Sequence, residues 1–311
     1  MGEPVPIETE RGRLVVGLAP LITVLIWSGN TVVTKAASGL ISPGSISFYR
    51  WCIAFMLLLP FVGRATWTHR HIVSTCWWKL AVLGGLGMVV YQSLAYVAAA
   101  TTSAVNMGVI QALMPLTSAM FAAVLASERL TGLRLTGGAV SLVGLVYLTS
   151  RGQPSQLLSG GLHLGDGLML VAILANSLYG VLLSRWKLPL TMWQQLLCQI
   201  FFAILLLLPI WLVGPISPIT PANLPLILFA AIPTSLLAPL CWMISIRRLG
   251  AARTALFVNL LPVMVALLAW AVLGEQLRAY HLIGGALALA GVAIGLGGAP
   301  LSKSRQPAAA T

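Results

Sequence analysis

Hydrophobic positions along the chain fall into long apolar runs separated by short polar connections. A helix needs about 20 apolar residues to cross a bilayer core of roughly 30 Å, because lipid offers its backbone groups no hydrogen-bond partners. The apolar runs are Leu14–Val33, Ile46–Val62, Leu80–Ala99, Val105–Ala126, Leu135–Thr149, Leu168–Ser184, Met192–Val213, Leu224–Ser245, Thr254–Leu273 and Leu282–Gly297. The pattern predicts an all-α integral membrane protein with ten transmembrane helices.

Composition leads to the same class. Hydrophobic residues make up 59% of the 311 residues and charged residues only 8%, whereas a soluble domain carries roughly 25% charged residues. The first 13 residues mix Glu and Arg, unlike a signal peptide or an organellar presequence. We therefore expect residues 1–13 and 299–311 to be cytoplasmic segments.

The basic residues predict an orientation in the membrane. The net charge is +12, but these residues are dispersed over short loops and form no nucleic-acid-binding stripe. With a cytoplasmic N-terminus, fourteen of them lie on the inside, namely Arg11, Arg13, Arg64, Arg70, Lys79, Arg129, Arg134, Arg185, Lys187, Arg247, Arg248, Arg253, Lys303 and Arg305. Three lie outside, at Lys35, Arg151 and Arg278. The positive-inside rule thus predicts that both termini are cytoplasmic.

The second half of the chain repeats the first. A shift of 147 residues pairs Pro115 with Pro262, Glu128 with Glu275, Leu130 with Leu277, Gly137-Gly138 with Gly284-Gly285, and Gly144 with Gly291. From Ala104 to Gly144, 13 of 41 positions are identical, where unrelated Ala/Leu-rich spans would share roughly 4 to 6. The predicted units are residues 14–150 and 165–298, with five helices each.

An odd number of helices per unit makes the repeat an inverted one, because the second unit enters the membrane from the opposite side. Transporters use such repeats to open a midplane site first to one face and then to the other.

The repeated residues resemble a known family. A Pro within the fourth helix, Glu-x-Leu closing it (Glu128-Arg129-Leu130 and Glu275-Gln276-Leu277) and Gly-Gly in the fifth are similar to the EamA repeat of the drug/metabolite transporter superfamily. Within it, the chain resembles bacterial exporters of the YddG type. That resemblance implies export of aromatic amino acids across the bacterial inner membrane, with ten helices and both termini in the cytoplasm.

Polar residues within the apolar runs mark a candidate cavity. The first helix places Thr23, Trp27, Asn30, Thr31 and Thr34 along one face at helical spacing. Such a face lines a cavity or packs against another polar helix, since polar groups are costly in lipid. We predict that substrate binds near the midplane, contacted by Trp27, Asn30, Tyr91, Gln92, Tyr96, Met107, Gln111, Asn176, Tyr179, Gln195 and Trp242.

Arg50 is the one basic residue expected inside a helix, roughly 7 Å from the outer start of the second helix at 1.5 Å per residue. It is a candidate contact for a substrate carboxylate. Alternatively, it extends to the outer interface or pairs with a helix C-terminus. The acidic and histidine residues all fall in the N-terminal segment or at or beyond predicted helix ends, which disfavours a proton relay within the membrane.

Pro115 and Pro262 each favour a kink and are candidate hinges of two matching gates, or static bends. The glycines of the fifth and tenth helices favour close packing within one chain over dimerisation, so a monomer is expected.

Other functions have less support in the sequence. It shows no nucleophile and base, G-x-S-G or metal cluster at membrane depth, and no phosphate-binding loop. The four cysteines form no C-x-x-C pair. We expect a secondary transporter without enzymatic activity, cofactor, metal or nucleic-acid partner, carrying small amphoteric metabolites. Export of other uncharged metabolites or drugs, and a receptor or scaffold role, are the alternatives.

Overall fold

The computed structural model describes residues 10–37, 39–99, 107, 110–111, 113–125, 131–155, 164–273 and 278–296. Within these residues the chain forms ten helical spans and no strand. They are α1 (Glu10–Ala37), α2 (Pro43–Thr68), α3 (70–99), α4 (Met114–Leu125), α5 (Gly132–Thr149), α6 (Leu164–Trp186), α7 (Met192–Val213), α8 (Leu224–Leu249), α9 (251–273) and α10 (Ala279–Leu296). The all-helical membrane fold predicted from the sequence is confirmed.

Hydropathy and length single out five of these helices as sufficient to cross a bilayer. The spans are Pro43–Thr68, Arg70–Ala95, Leu164–Trp186, Met192–Val213 and Leu224–Leu249, with mean hydropathy from 1.5 to 2.7. In the other five helices the apolar stretches are shorter, namely Leu18–Asn30, Met114–Leu125, Gly132–Leu148, Ala251–Val265 and Ala279–Gly295. Large apolar side chains on the outer surfaces of the helices are exposed, as on Phe61 and Val213, which suits a protein surrounded by lipid.

Two predicted helix boundaries were wrong by several residues. The third helix was expected to begin at Leu80 and begins at Arg70, while the second continues past Val62 to Thr68. Only His69 separates them, and its backbone N–H bonds to the carbonyl of Thr66. The apolar runs were shorter than both helices, because the turns on either side of His69 carry Trp and basic residues, which a membrane interface tolerates.

Local sequence explains several helix starts. Ser42 caps α2 ahead of Pro43, and Thr131 caps α5 by accepting a hydrogen bond from the Arg134 N–H. The start of α7 is a capping box, in which Thr191 and Gln194 bond to each other's backbone.

Helices α3, α8 and α9 are each interrupted. In α3 a π-helical segment, Gly85–Val90, joins Arg70–Gly84 to Tyr91–Ala99. In α8 a π-helical segment, Pro233–Leu237, joins Leu224–Ala231 to Ala238–Leu249. In α9 a 3₁₀ turn, Phe257–Leu260, precedes Leu261–Leu273, so the interruption of this helix ends just before Pro262.

Helices α5 and α10 cross so closely that their backbones touch. A Cβ built on Gly144 would lie 2.7 Å from the carbonyl oxygen of Gly284, and a Cβ on Gly284 would lie 2.7 Å from that of Gly144. Gly137 and Gly291 make the same reciprocal contact, since a Cβ on either would lie 2.5 Å from the carbonyl oxygen of the other. Between the two glycine contacts, the Ser141 hydroxyl donates to the Ala288 carbonyl at 3.3 Å. Ser141 and Ala288 are themselves 147 residues apart, so the pseudo-twofold axis of the inverted repeat passes between them.

The first helix of each half packs against helices of the other half. Helix α1 packs on α8 and α9 of the second half, while α6 packs on α3 and α4 of the first half. Ser28 donates to the carbonyl of Leu261, just before Pro262, and Ser177 makes the same contact with Met114, just before Pro115. In each half, a serine from the opposite half thus bonds the carbonyl just before the repeated proline.

Helices α2 and α7 form a pair that is tied at both ends. At one end, the Ser217 N–H donates to the Ser45 hydroxyl and the Ser42 N–H to the Ser217 hydroxyl, each at 2.9 Å. At the other end, the Gln194 amide donates to the Ala65 carbonyl at 3.1 Å. These bonds hold α2 and α7 together at both ends.

Candidate functional site

The face predicted on α1 is buried at one end and partly exposed further along. Thr23 is fully buried, and its hydroxyl lies within bonding distance of the carbonyls of Ala19 and Ala238, so this end of the face packs against α8. One turn further on, Trp27 is half-buried and meets Trp242 of α8 at 5.1 Å between ring centroids, with 48° between planes. Asn30 is half-buried. The side chains of Thr31 and Thr34 lie outside the described residues.

Trp27 and Trp242 come from opposite halves of the chain, so this aromatic pair spans the interface between the repeats. Trp242 is only 4% exposed, whereas Trp27 keeps an accessible face. An offset or tilted aromatic pair of this kind is a rigid platform on which another ring or an apolar side chain can stack.

A second group of predicted residues borders the same core. Tyr91, Met107 and Gln111 are half-buried, and the Gln111 amide nitrogen lies 3.4 Å from the Tyr91 hydroxyl. Trp27, Tyr91 and Met107 all pack against one large cluster of buried side chains, to which Tyr179 and Trp242 belong. The structure therefore gathers these predicted residues around a common core. The side chain of Tyr96 lies outside the described residues.

Asn176 and Tyr179 of α6 lie deeper, at 8% and 5% exposure. The Asn176 amide points at the Met114 sulfur, 3.6 Å away, and the Tyr179 ring fills the space beside Gly87, where a Cβ would lie 2.9 Å from it. In this conformation both side chains pack α6 against α3 and α4.

Gln195 has a different role from the one predicted. It is 1% exposed, and its amide nitrogen donates to the carbonyls of Leu188 and Leu190 at 3.3 and 2.9 Å. These bonds hold the turn between α6 and α7, so its donor is already used in the fold. The signal was misleading because an amide in an apolar helix looks the same whether it lines a cavity or caps a nearby loop.

Arg50 does not extend to the outer interface, which was one of the alternatives, but lies inside the bundle. The side chain is 1% exposed, and its Nε donates to the Ser235 hydroxyl at 2.8 Å. With the Gln92 amide turned so that its oxygen faces the guanidinium, Nη1 and Nη2 each lie 3.2 Å from that oxygen. The Trp51 ring lies 5.0 Å from Cζ. Arg50 is therefore a cation inside the helix bundle, beside two residues not expected to be its partners.

Ser235 is the residue that sequence reasoning missed. It lies two positions after Pro233, within the π-helical turn that begins at this proline. A serine just after a proline in an apolar helix is the signal that marks it, because the proline leaves helix carbonyls that a hydroxyl can bond.

A separate groove of about 660 Å³ lies on the outer surface of the bundle, between α2, the start of α7 and the π-helical turn of α8. Its lining is entirely apolar and consists of Leu57, Leu58, Phe61, Val62, Trp193, Ile232, Leu236 and Leu237. With no polar group to orient a ligand, it suits a lipid chain, and the polar residues above are better placed to bind a solute.

Comparison with known proteins supports this fold. The sequence model of the EamA-like transporter family matches residues 14–150 and again residues 163–296. The chain is 27% identical over 278 residues to the uncharacterized transporter YyaM of Bacillus subtilis (strain 168), covering 86% of this chain and 89% of that protein. It is 28% identical over 278 residues to an uncharacterized transporter of Archaeoglobus fulgidus, covering 87% and 93%.

A solved crystal structure has the same fold, with a TM-score of 0.69 at 21% sequence identity, covering 90% of this chain and 95% of the other. Two family matches in one chain agree with the two halves that meet at Ser141 and Ala288. The chain is a multi-pass membrane protein that belongs to the EamA-like transporter family of the drug/metabolite transporter superfamily.

Proposed function

We propose that this transporter exports small amphoteric metabolites, most suitably aromatic or other apolar amino acids, across the bacterial inner membrane. Transport proceeds by alternating access to a midplane site between the two halves. The observation that carries the proposal is that two segments equivalent in the repeat differ in burial.

Met107, Ile110 and Gln111, which precede α4, are half-buried. Their counterparts 147 residues later at the start of α9 are Thr254, Phe257 and Val258, which are buried at 0%, 9% and 2% exposure. Alternating access requires this asymmetry, because one gate is closed while its counterpart is open. In the topology expected from the basic residues, the open segment faces the periplasm and the closed one the cytoplasm.

The chemistry of the proposed site suits an amphoteric solute. The accessible face of Trp27 offers a stacking surface, which is worth about 0.5–1.5 kcal/mol beyond burial for an aromatic substrate. Asn30 and Gln111 carry amides that both donate and accept, so they can bind the ammonium and other polar groups of such a solute. Amides also favour weak binding and ready release.

Flux in proteoliposomes loaded with a panel of amino acids, sugars and neutral drugs tests the proposal. Exchange of aromatic or apolar amino acids supports it. Flux only of other uncharged metabolites or drugs favours the second candidate function, and ligand binding without flux favours a receptor or scaffold.

The first testable prediction concerns orientation. In protein whose native cysteines are replaced, Arg247→Cys at the end of α8 should be labelled only from the cytoplasmic side, and Leu40→Cys between α1 and α2 only from outside. Both positions are exposed, so a reagent can reach them. Labelling of both from the same side would contradict the inverted topology.

The second prediction concerns energy coupling. Flux should persist, at no less than about half its rate, when a protonophore collapses the proton gradient, because no membrane-buried carboxylate is expected to relay protons. Among the described acidic residues, Glu10 begins α1 and Asp166 lies in the first turn of α6, both at helix ends. A known proton-coupled exporter in parallel vesicles is the control. Complete loss of flux would refute the uncoupled mechanism.

A further inference from the structure

The third helix of each half contains a π-helical segment. These segments, Gly85–Val90 in α3 and Pro233–Leu237 in α8, end at residues that are 147 positions apart, the spacing of the repeat. A π-helical turn is rare, and it occurs frequently at functional sites and where helices bend. Its presence at the same place in both halves makes it part of the repeated architecture.

Arg50 joins these two segments. Its Nε donates to Ser235 inside the segment of α8, while Nη1 and Nη2 face the amide oxygen of Gln92 just after the segment of α3. Ser235 belongs to the second half, and Arg50 and Gln92 to the first. The Arg50 side chain, which comes from α2, therefore links α3 of the first half to α8 of the second half.

The orientation of the guanidinium is set by its neighbours. The Ser235 hydroxyl donates its proton to the Ala230 carbonyl at 2.7 Å, so its oxygen is the acceptor for Arg50 Nε at 2.8 Å. The ring of Trp51 lies 5.0 Å from Cζ. With Nε held in this way, Nη1 and Nη2 point together at the oxygen of half-buried Gln92.

That end of the guanidinium has the geometry to bind a carboxylate. Nη1 and Nη2 can each donate one hydrogen bond to a carboxylate oxygen, and such charge-assisted bonds are roughly twice as strong as bonds to a neutral acceptor. The Gln92 oxygen is neutral and shared at 3.2 Å. A carboxylate that reached this position would therefore replace it. An arginine at membrane depth is costly, which favours a functional role.

We propose that Arg50 binds the carboxylate of the substrate by exchanging the Gln92 amide for it, and that this exchange disconnects α3 from α8. The inference rests on the proposed function and names its substrate class, a monocarboxylate with an apolar side chain. Ser235 is a positioning residue, since it acts by holding Arg50. Binding at Arg50 frees the π-helical turn of α3 to move, which couples occupancy to the change of access.

Gln92 is thus a competitor of the substrate, and two substitutions should shift KM in opposite directions. In proteoliposome exchange at zero membrane potential, Gln92→Ala should lower KM for phenylalanine about 3- to 10-fold, because the competing oxygen is gone. Gln92→Glu should raise KM more than about 10-fold, because a tethered carboxylate then occupies Arg50. A side chain that only packs would give changes of the same sign in both variants.

Substrate discrimination tests Arg50 itself. The wild-type protein should carry phenylalanine with kcat/KM at least about tenfold above phenylalaninamide, which lacks the carboxylate. Arg50→Gln should abolish that preference, and Arg50→Lys should restore part of it. Ser235→Ala should raise KM several-fold, whereas Thr234→Val in the same turn should not. The buried Thr234 hydroxyl has no hydrogen-bond partner among the described residues.

The outcomes separate the inference from the proposed function. If wild-type protein carries both compounds equally, or if Arg50→Gln keeps the preference, the carboxylate site is wrong and transport of amino acids still stands. If Gln92→Ala and Gln92→Glu both raise KM, the exchange of acceptors is wrong. If wild-type protein carries neither compound while it carries other solutes, the proposed substrate class and the inference both fall.

Discussion

Replacing Gly284 with Ala is expected to lower the melting temperature of the solubilised protein clearly, whereas Gly285→Ala should leave it unchanged or raise it. A Cβ on Gly284 would lie 2.6 Å from Leu148 Cβ and 2.7 Å from the carbonyl oxygen of Gly144, neither of which can move without shifting α5. A Cβ on Gly285 would lie 3.5 Å from a methyl group of Val263, an ordinary contact.

The two effects differ in sign as well as size. Overpacking a tight interface costs about 1–3 kcal/mol, while Ala gains about 1 kcal/mol over Gly in the interior of an exposed helix. The net change is therefore destabilising at Gly284 and neutral or favourable at Gly285. These adjacent residues share a helix and a conformation, so each is the control for the other. Thermal unfolding followed by tryptophan fluorescence measures both.

The inverted repeat supplies a second pair for the same test. Gly137 is the counterpart of Gly284, and its Cβ would lie 2.5 Å from the carbonyl oxygen of Gly291. Gly138 would meet a side-chain carbon of Leu116 at 3.0 Å, which can rotate away. Gly137→Ala should therefore destabilise more than Gly138→Ala. Equal stability of the two variants in both pairs would contradict the close crossing of α5 and α10.

Much of this fold could be predicted from the sequence because its signals are local or periodic. Lipid imposes an apolar run on each spanning helix, and the duplication places Pro115 and Pro262, and the glycines of α5 and α10, at one constant spacing. The π-helical turns could not be predicted in this way. They depend on which side chains bond the carbonyls that the turn leaves unpaired, as the Ser235 hydroxyl does for Ala230, and on contacts across the bundle such as that of Arg50 with Ser235.

The candidate site was less predictable because a polar residue in an apolar helix gives the same sequence pattern whether it lines a cavity or packs against another part of the chain. Thr23 and Trp27 share one face of α1, yet Thr23 is buried against α8 and Trp27 keeps an accessible side. Gln195 was expected in the cavity and holds a turn instead. Whether such a residue is buried or accessible depends on its neighbours from distant parts of the chain, and helical periodicity gives no information about those neighbours.

Trp27→Ala is expected to lower kcat/KM for aromatic amino acids roughly 10- to 50-fold, mainly through a higher KM. Stacking on the indole adds about 0.5–1.5 kcal/mol to the burial of one ring face, and 1.4 kcal/mol corresponds to a tenfold change in affinity. Small apolar amino acids such as alanine do not reach the full indole surface, so their flux should fall less. Trp27→Phe keeps a ring face and should retain most of the activity.

Trp242 needs a gentler substitution, because removing a buried Trp side chain costs about 3–5 kcal/mol and threatens folding. Trp242→Phe keeps the core filled while it removes part of the platform that meets Trp27 at 5.1 Å. It should raise KM for aromatic substrates a few-fold without changing the melting temperature by more than a few degrees. Trp77→Ala, at a tryptophan that is 55% exposed in α3, is the control and should transport normally.

Selectivity, and not total flux, decides whether the tryptophan pair contacts substrate. If Trp27 only packs α1 against α8, Trp27→Ala will reduce the flux of aromatic and small amino acids by the same factor, and the loss will follow protein stability. If Trp27 is a stacking surface, the ratio of aromatic to small substrate flux will fall, whatever the change in melting temperature. An unchanged ratio in both Trp27→Ala and Trp242→Phe would remove the pair from the site and leave it as a packing contact between the repeats.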